Sequence, residues 1–289
     1  FPTETVYGLG ADATNDTAVA SIYAKKGRPS FNPLIAHVDN AQMAARYVKL
    51  NDTAKKLMEA FWPGPLTLVL PRKSNCSVSL LASAGLDTLA VRCPKNPIAL
   101  ELIHQFSKPI VAPSANKSGR ISPTTVGHII DDYGDEAPFT LDGGPCQVGG
   151  ESTVLLCTGE KPAVLRYGGL AVEEIEKLIG PVIRPEKDEA APHSPGQMKS
   201  HYAPALPLRM NALAAFDGEA LLGFGHAPEA VLNLSETEDL TEAAANLFSM
   251  MHQLDNAQKY TGIAVMPVPM EGLGLAINDR LKRASYKRE

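Results

Sequence analysis

Lys26 and Arg28 stand two positions apart in KKGRPSFNPLIAHV, with Asn32 and His37 close behind. Two neighbouring cations can be a solvated surface, but a glycine-and-proline turn that aims them together suits phosphate or carboxylate binding. Arg92 ends the apolar run LDTLAV, where burial demands an anionic partner, and Arg166 ends AVL in the same way. Neutral donors accompany these cations: Thr3 and Thr5 in FPTETVYGLG, Ser114, Asn116, Ser118 and Ser122 in PSANKSGRISPTT, and Ser152 in ESTVLL. Each alone reads equally well as a turn former or helix cap. Gly8-x-Gly10 offers positive φ or a close backbone approach, which a tight turn also needs. Together they place cations and hydroxyls at strand ends, the equipment for a nucleotide plus a small anion.

Other chemistries are excluded by what surrounds these residues. Ser114-x-x-Lys117 and Lys117-Ser-Gly119 imitate two motifs of penicillin-binding enzymes but share one lysine, whereas those motifs lie far apart in sequence. No G-x-S-x-G elbow, Walker A loop or G-x-G-x-x-G fingerprint occurs, so neither a serine nucleophile nor a standard nucleotide loop is present. The seven histidines are scattered and the four cysteines form no C-x-x-C pair, which leaves no metal-ligand set and no disulfide framework. A reduced, cytoplasmic compartment fits that cysteine usage. The net charge of −5 opposes wholesale wrapping by nucleic acid, and no apolar run is long enough to span a bilayer. Up to Gly180 the chain holds 17 basic and 18 acidic residues, and after it 10 and 14. The basic end (Lys282, Arg283, Lys287, Arg288) reads as a solvated cluster at a helix C-terminus.

The elements that must position these residues follow from apolar spacing. Strands are expected at residues 33–38, 66–70, 88–91, 109–112, 139–141, 153–157 and 163–165, and helices at 17–26, 52–61, 97–106 and 172–179. Asp16 is expected to cap the first helix and Gly27 to end it. Many strands with few short helices predict an α/β sheet curved around a cleft over residues 1–180. Residues 181–205, rich in proline, read as a linker, long enough to be an active-site lid. Residues 206–289 alternate strands (206–210, 220–224, 231–234, 263–267) with a helix from Asp239 that puts Leu240, Ala244, Leu247, Met251 and Leu254 on one face. A smaller parallel α/β domain is expected there. The chain opens at Phe1 directly on a motif, so a strand and a helix are expected to be missing before it.

The segments PTETVYGLG, Lys26-x-Arg28, NPLIAHV, WPGPLTLVL, GLDTLAVRCP, APSAN, SPT, ESTVL and LRYGG resemble, in order, the YrdC-like domain of threonylcarbamoyl-AMP synthases. SPGQMKSHYAP and GLGLAINDRLKRAS are similar to the longer, two-domain branch of that family. LRYGG stands where LRPG is frequent. The resemblance implies a twisted YrdC-like sheet with a positively charged cleft, plus a smaller Rossmann-like domain. It implies that Thr5, His37, Arg92, the main chain at Ala112 and Ser152 hold L-threonine. It places Arg28, Asn32, Thr88, Ser114, Ser122, Arg166 and Tyr202 around ATP, with Lys26 and Arg28 assisting catalysis at the phosphates.

The implied reaction joins L-threonine, bicarbonate or CO2 and ATP into threonylcarbamoyl-AMP and pyrophosphate. The product serves a tRNA-modifying threonylcarbamoyl transferase machinery acting on the adenosine next to the anticodon, with a weak tRNA contact and no membrane. Substitution at phosphorus asks for charge neutralisation and in-line positioning rather than a protein nucleophile. Magnesium is expected to arrive on the phosphates, which supply its ligands with water. His37 is either a general base or a hydrogen-bond donor to substrate, and the second is favoured. The linker is expected to present Lys199, His201 and Tyr202 and to fold over bound nucleotide, with Tyr202 packing on it or bonding a phosphate. Two other readings remain: a double-stranded RNA or tRNA-binding module, and a carbamoyl-transfer enzyme built on the same sheet.

Overall fold

The computed structural model describes residues 1–29, 32–184 and 201–286. Residues 185–200, which carry Lys199 and most of the expected lid, lie outside the described residues, as do Lys287 and Arg288.

Seven strands form the first sheet: β1 (Ala11–Asp12), β2 (Ile35–His37), β3 (Leu66–Pro71), β4 (Thr88–Arg92), β5 (Ile110–Val111), β6 (Thr153–Leu156) and β7 (Ala163–Arg166). Their order is β1-β5-β2-β4-β3-β6-β7, parallel at β2/β4 and β3/β6 and antiparallel elsewhere. Six helices accompany it: α1 (Asp16–Lys26), α2 (Ala41–Tyr47), α3 (Asp52–Phe61), α4 (Pro97–Phe106), α5 (Val126–Tyr133) and α6 (Val172–Ile179).

The two-residue period of a strand divides the work between the sheet's faces. Ala36, Leu66, Leu68, Leu70, Leu89, Val91 and Leu155 join one large core with Val19, Ile22, Leu57, Ile103 and Ile175 of the helices. The alternate residues, Ile35, Val69, Ala90 and Val154, pack as a separate small cluster on the other face. His37, Thr67, Thr88 and Arg92 share that second face by the same alternation. One side of the sheet is therefore glued to helices, and the other carries the polar residues.

Local chemistry sets the element ends. Asn15, not Asp16, caps α1, its side chain accepting from the Ala18 amide, while Asp16 sits in the first turn, where its charge suits the helix dipole. Gly27 ends α1 in the left-handed conformation. Residues 139–141 form no strand: Pro138 before them lacks an N–H and Phe139 is 91% exposed. Gly8 and Gly10 are not in the positive-φ region. At Gly8 the constraint is close packing instead, since a Cβ there would stand 3.0 Å from the Ala112 Cβ, which would have to give way by a few tenths of an ångström.

The second sheet contains β8 (Leu208–Arg209), β9 (Glu219–Gly223), β10 (Leu232–Asn233) and β11 (Gly262–Val265) in the order β10-β9-β11-β8, all parallel. It carries α7 (Leu240–Leu254) and α8 (Gly274–Ala284). Asp239 caps α7, and Ala244, Leu247, Met251 and Leu254 are buried in its apolar stripe. The two halves meet closely: a Cβ on Gly149 would lie 2.1 Å from the carbonyl oxygen of Ala245 in α7. His128 of α5 and His252 of α7 stack with ring centroids 3.9 Å apart.

Candidate active site

A cavity opens on the polar face of the first sheet and is closed by the segment that leads into the second domain. Thr5, Arg28, His37, Arg92, Ala112, Ser114, Ser152, Arg166 and Tyr202 all line it. Its position follows from the strands. His37 ends β2, Arg92 ends β4 directly opposite it, Ser152 immediately precedes β6 and Arg166 ends β7. The turn after β7 fixes the last two, because a Cβ on Gly168 would meet the Ser152 backbone at 2.2 Å.

Each cation has a defined anchor. Arg92 donates from Nη2 to Glu4 at 2.6 Å and from Nε to the Gly64 carbonyl at 3.3 Å. Both members of that pair are buried, so each charge depends on the other. The full two-nitrogen fork expected for a substrate carboxylate is therefore partly occupied, and Nη1 is the edge left to face the cavity. Arg28 donates to the Asn32 and Pro33 carbonyls, and burial lowers its pKa to about 10. Arg166 donates to the carbonyl and hydroxyl oxygens of Ser152, whose hydroxyl also bonds Thr67 at 2.7 Å. Thr5 bonds the hydroxyl of Thr3 at 2.8 Å. The Ala112 amide donates to the Ile35 carbonyl, so Ala112 can offer a ligand its carbonyl but not its N–H.

Three buried polar atoms of cavity residues have no hydrogen-bond partner among the described residues: His37 Nδ1, His201 Nδ1 and the Tyr202 hydroxyl. Burial, helped by Arg92, pushes the His37 pKa down to about 3, and burial lowers that of His201 to about 3. Both rings are neutral at physiological pH and present hydrogen-bonding nitrogens rather than charge. Burial, with Glu151 nearby, raises the Tyr202 hydroxyl to about 12. Unsatisfied buried groups are costly unless something completes them, and a ligand with several donors and acceptors would.

Four expected site residues do not line the cavity. Lys26 is buried, and its ammonium donates to the Ser114 carbonyl at 2.5 Å and to that of Asn116, so it fastens the loop after β5 to α1. Ser122 is buried and donates to Glu151 at 2.9 Å. Asn32 is buried, and its carbonyl accepts from Arg28 and Tyr23. Thr88 shares the face of Arg92 but begins β4, four residues away, roughly 13 Å at strand spacing. His201, which the linker was expected to present beside Tyr202, also lines the cavity. Glu151 lines it too, although nothing in the sequence singles it out beyond its place directly before Ser152.

Residues 1–168 match the Sua5/YciO/YrdC family model, described as telomere recombination, and residues 170–285 match the threonylcarbamoyl-AMP synthase C-terminal domain. The chain belongs to the threonylcarbamoyl-AMP synthase family. Among its relatives, the threonylcarbamoyl-AMP synthase of Bacillus subtilis is 40% identical over 99% of this chain and 88% of its own. Pyrococcus abyssi Sua5, solved in complex with L-threonine, superposes with a TM-score of 0.90 at 38% identity, covering 99% of this chain and 89% of that one. Escherichia coli YciO shares the fold of the first half alone, with a TM-score of 0.51 at 22% identity over 58% of this chain and 81% of that one.

In this member of the threonylcarbamoyl-AMP synthase family, both family regions contribute to the cavity. Glu151 comes from the first, yet its carboxylate is held by Arg280 of α8, in the second, at 3.3 Å. Burial pushes the Glu151 carboxyl up, but Arg280 and Arg166 outweigh it and hold it below the usual carboxylate range.

Proposed function

We infer that this chain makes threonylcarbamoyl-AMP from L-threonine, bicarbonate and ATP. The observation that carries the reading is the convergence of three arginines and three unsatisfied polar atoms on one cavity. The full-length similarity to named synthases, and the L-threonine complex of a close structural relative, support it. Threonine's amine combines with CO2, losing a proton, to give a carbamate. A carbamate oxygen then attacks the α-phosphorus, and the bond to pyrophosphate breaks. Arg92 faces the threonine carboxylate, with Thr5, His37, the Ala112 carbonyl and Ser152 around the amino acid. Arg28 and Arg166 neutralise phosphate charge, with Ser114 and Tyr202 beside the nucleotide. Lys26 spends two of its three ammonium protons on the Ser114 and Asn116 carbonyls, which leaves the third for a phosphate contact.

ATP enters as its magnesium complex. Glu151 is the sole carboxylate among the cavity residues and is already bonded by Ser122 and Arg280, which fits a magnesium ion held by phosphates and water. The product passes to a tRNA-modifying threonylcarbamoyl transferase machinery, with no more than weak tRNA contact from this acidic chain. The four free cysteines support a cytoplasmic location, and among the described residues no helix is long and apolar enough to cross a membrane. Pyrophosphate release that requires both threonine and bicarbonate tests the reading. Release indifferent to either one would replace it with a different ATP-using reaction.

A further inference from the structure

Arg280 is the largest fully buried side chain among the described residues, and it belongs to the second domain, not to the one whose sheet carries the cavity. Its guanidinium donates from Nε and Nη2 to Glu151 Oε2, both at 3.3 Å, and from Nη1 to the Tyr167 carbonyl at 2.5 Å and to Asp279 at 3.2 Å. Its carbon centre lies 5.6 Å from the ring of Tyr202. Among the described residues, its hydrogen-bond and ring partners outside its own helix are cavity residues or the neighbour of one: Glu151 and Tyr202 line the cavity, and Tyr167 follows Arg166.

Domain glue alone does not account for this arrangement. A buried ion pair is a weak source of stability, and apolar residues of similar volume usually serve as well or better. The seam already has apolar packing, since Val6 and Ile121 of the first domain share one buried cluster with Leu206, Leu247 and Phe248. The placement of Glu151 shows what the arginine is for. Glu151 shares the cavity with Arg28 and Arg166, the cations facing the nucleotide, and Arg166 is the next strongest neighbour stabilising its charge. Without Arg280 the carboxylate would turn to Arg166, cancel it, and set a negative charge against the phosphates.

We propose that Arg280 is a positioning residue for the reaction: it sequesters the Glu151 carboxylate and thereby reserves Arg166 for the nucleotide. Through Arg280 the second domain then acts on the site with a side chain that never touches substrate. This rests on the ATP-using reading above, and the test separates the two by measuring ATP binding directly as well as turnover.

The full chain is compared with Arg280→Gln and with Glu151→Gln/Arg280→Gln, using calorimetry with ATP and pyrophosphate release. Arg280→Gln is expected to weaken ATP binding and raise its KM at least tenfold, with a smaller loss in kcat. Removing the orphaned carboxylate in the double variant is expected to recover most of that loss. Lowering the pH should also narrow the gap between Arg280→Gln and the parent, since protonating Glu151 replaces the missing cation. A double variant no better than Arg280→Gln would overturn the proposal, as would parent-like ATP binding in Arg280→Gln. Should Arg280→Gln show no cooperative melting, Arg280→Lys replaces it. That variant keeps a cation opposite Glu151, so a rise in ATP KM of about threefold is expected, and a tenfold rise that Glu151→Gln does not relieve overturns the proposal. Calorimetry on the parent reads ATP binding even if threonine and bicarbonate fail to drive turnover, so failure of the reaction and failure of Arg280 remain distinct.

Discussion

At the scale of single residues, the site works by dividing each arginine between an internal anchor and the cavity. Arg92 is held by Glu4 and Gly64, so one edge is fixed and the other is aimed. A lysine has the charge but neither the fork nor a second nitrogen for Glu4. Arg92→Lys should raise the KM for threonine at least tenfold while ATP affinity stays near normal, as calorimetry with each ligand would show. Loss of ATP binding with threonine binding intact would move Arg92 to the nucleotide. Tyr202 divides in the same way. Its ring packs on Phe248 at 5.4 Å between centroids, inside the second domain's core, while its hydroxyl has no partner among the described residues. From sequence alone Tyr202 reads as a lid residue that could be removed without cost to stability, but its ring is fully buried. Tyr202→Ala should therefore cost about 3–5 kcal/mol of stability, the usual price of emptying a buried aromatic site. Tyr202→Phe keeps the ring, so it should melt within a degree or two of the parent yet bind nucleotide more weakly. Unchanged nucleotide binding in Tyr202→Phe would leave the hydroxyl without a role.

At the scale of elements, glycines and strand alternation matter more than any motif. Helices 52–61, 97–106 and 172–179 were legible to the residue because their apolar spacing is regular and their ends carry asparagine, proline or glycine signals. The strands were legible as runs, but β8 and β10 are only two residues long, since pairing rather than apolarity sets their ends. The helices α2 and α5 were not expected, because neither carries an apolar stripe long enough to separate from its surroundings. Of the site, the residues at strand ends were legible: His37, Arg92, Ser152 and Arg166 meet because β2, β4, β6 and β7 belong to one sheet. Glu151 and Arg280 were not, since a partnership across 129 positions has no local signature. The turn after β7 shows how tightly an element can hold the chemistry. A methyl group on Gly168 would press into the Ser152 backbone, and strand β6 or the turn would have to move. A displacement of about 1 Å at a catalytic group can cost a factor of about 100. Gly168→Ala should lower threonine-dependent pyrophosphate release by that order and also reduce the melting temperature. Parent-like turnover would mean that the Ser152–Arg166 pair is not held by this turn.

At the scale of the whole molecule, the two domains are joined by half-buried histidines as well as by Arg280, and this gives stability a definite dependence on pH. His128 accepts a hydrogen bond at Nδ1 from the Thr124 amide, stacks on His252, and has its pKa pushed down to about 4 by burial and by that neighbour. His252 is likewise lowered, chiefly by burial, and bonds the Ser122 carbonyl at 3.2 Å. Asp131 beside His128 and Asp255 beside His252 favour protonation but do not overcome burial. The unfolded chain titrates such histidines near 6.5, so between pH 6.5 and about 4 it binds protons that the folded protein refuses. Stability must therefore fall as the pH drops through that window and level off above it. His37 and His201, both near 3, add slope of the same sign. The stacked pair is distinctive because protonating both rings would set two like charges 3.9 Å apart across the domain seam. Melting temperatures measured from pH 7.5 down to 4.5 should therefore decline less steeply in His128→Asn/His252→Asn than in the parent, with a residual slope from His37 and His201. Parallel curves for the two proteins would show that the seam does not titrate, and would leave the acid sensitivity to His37, His201 and the carboxylates held low by their partners, such as Asp12 and Glu176.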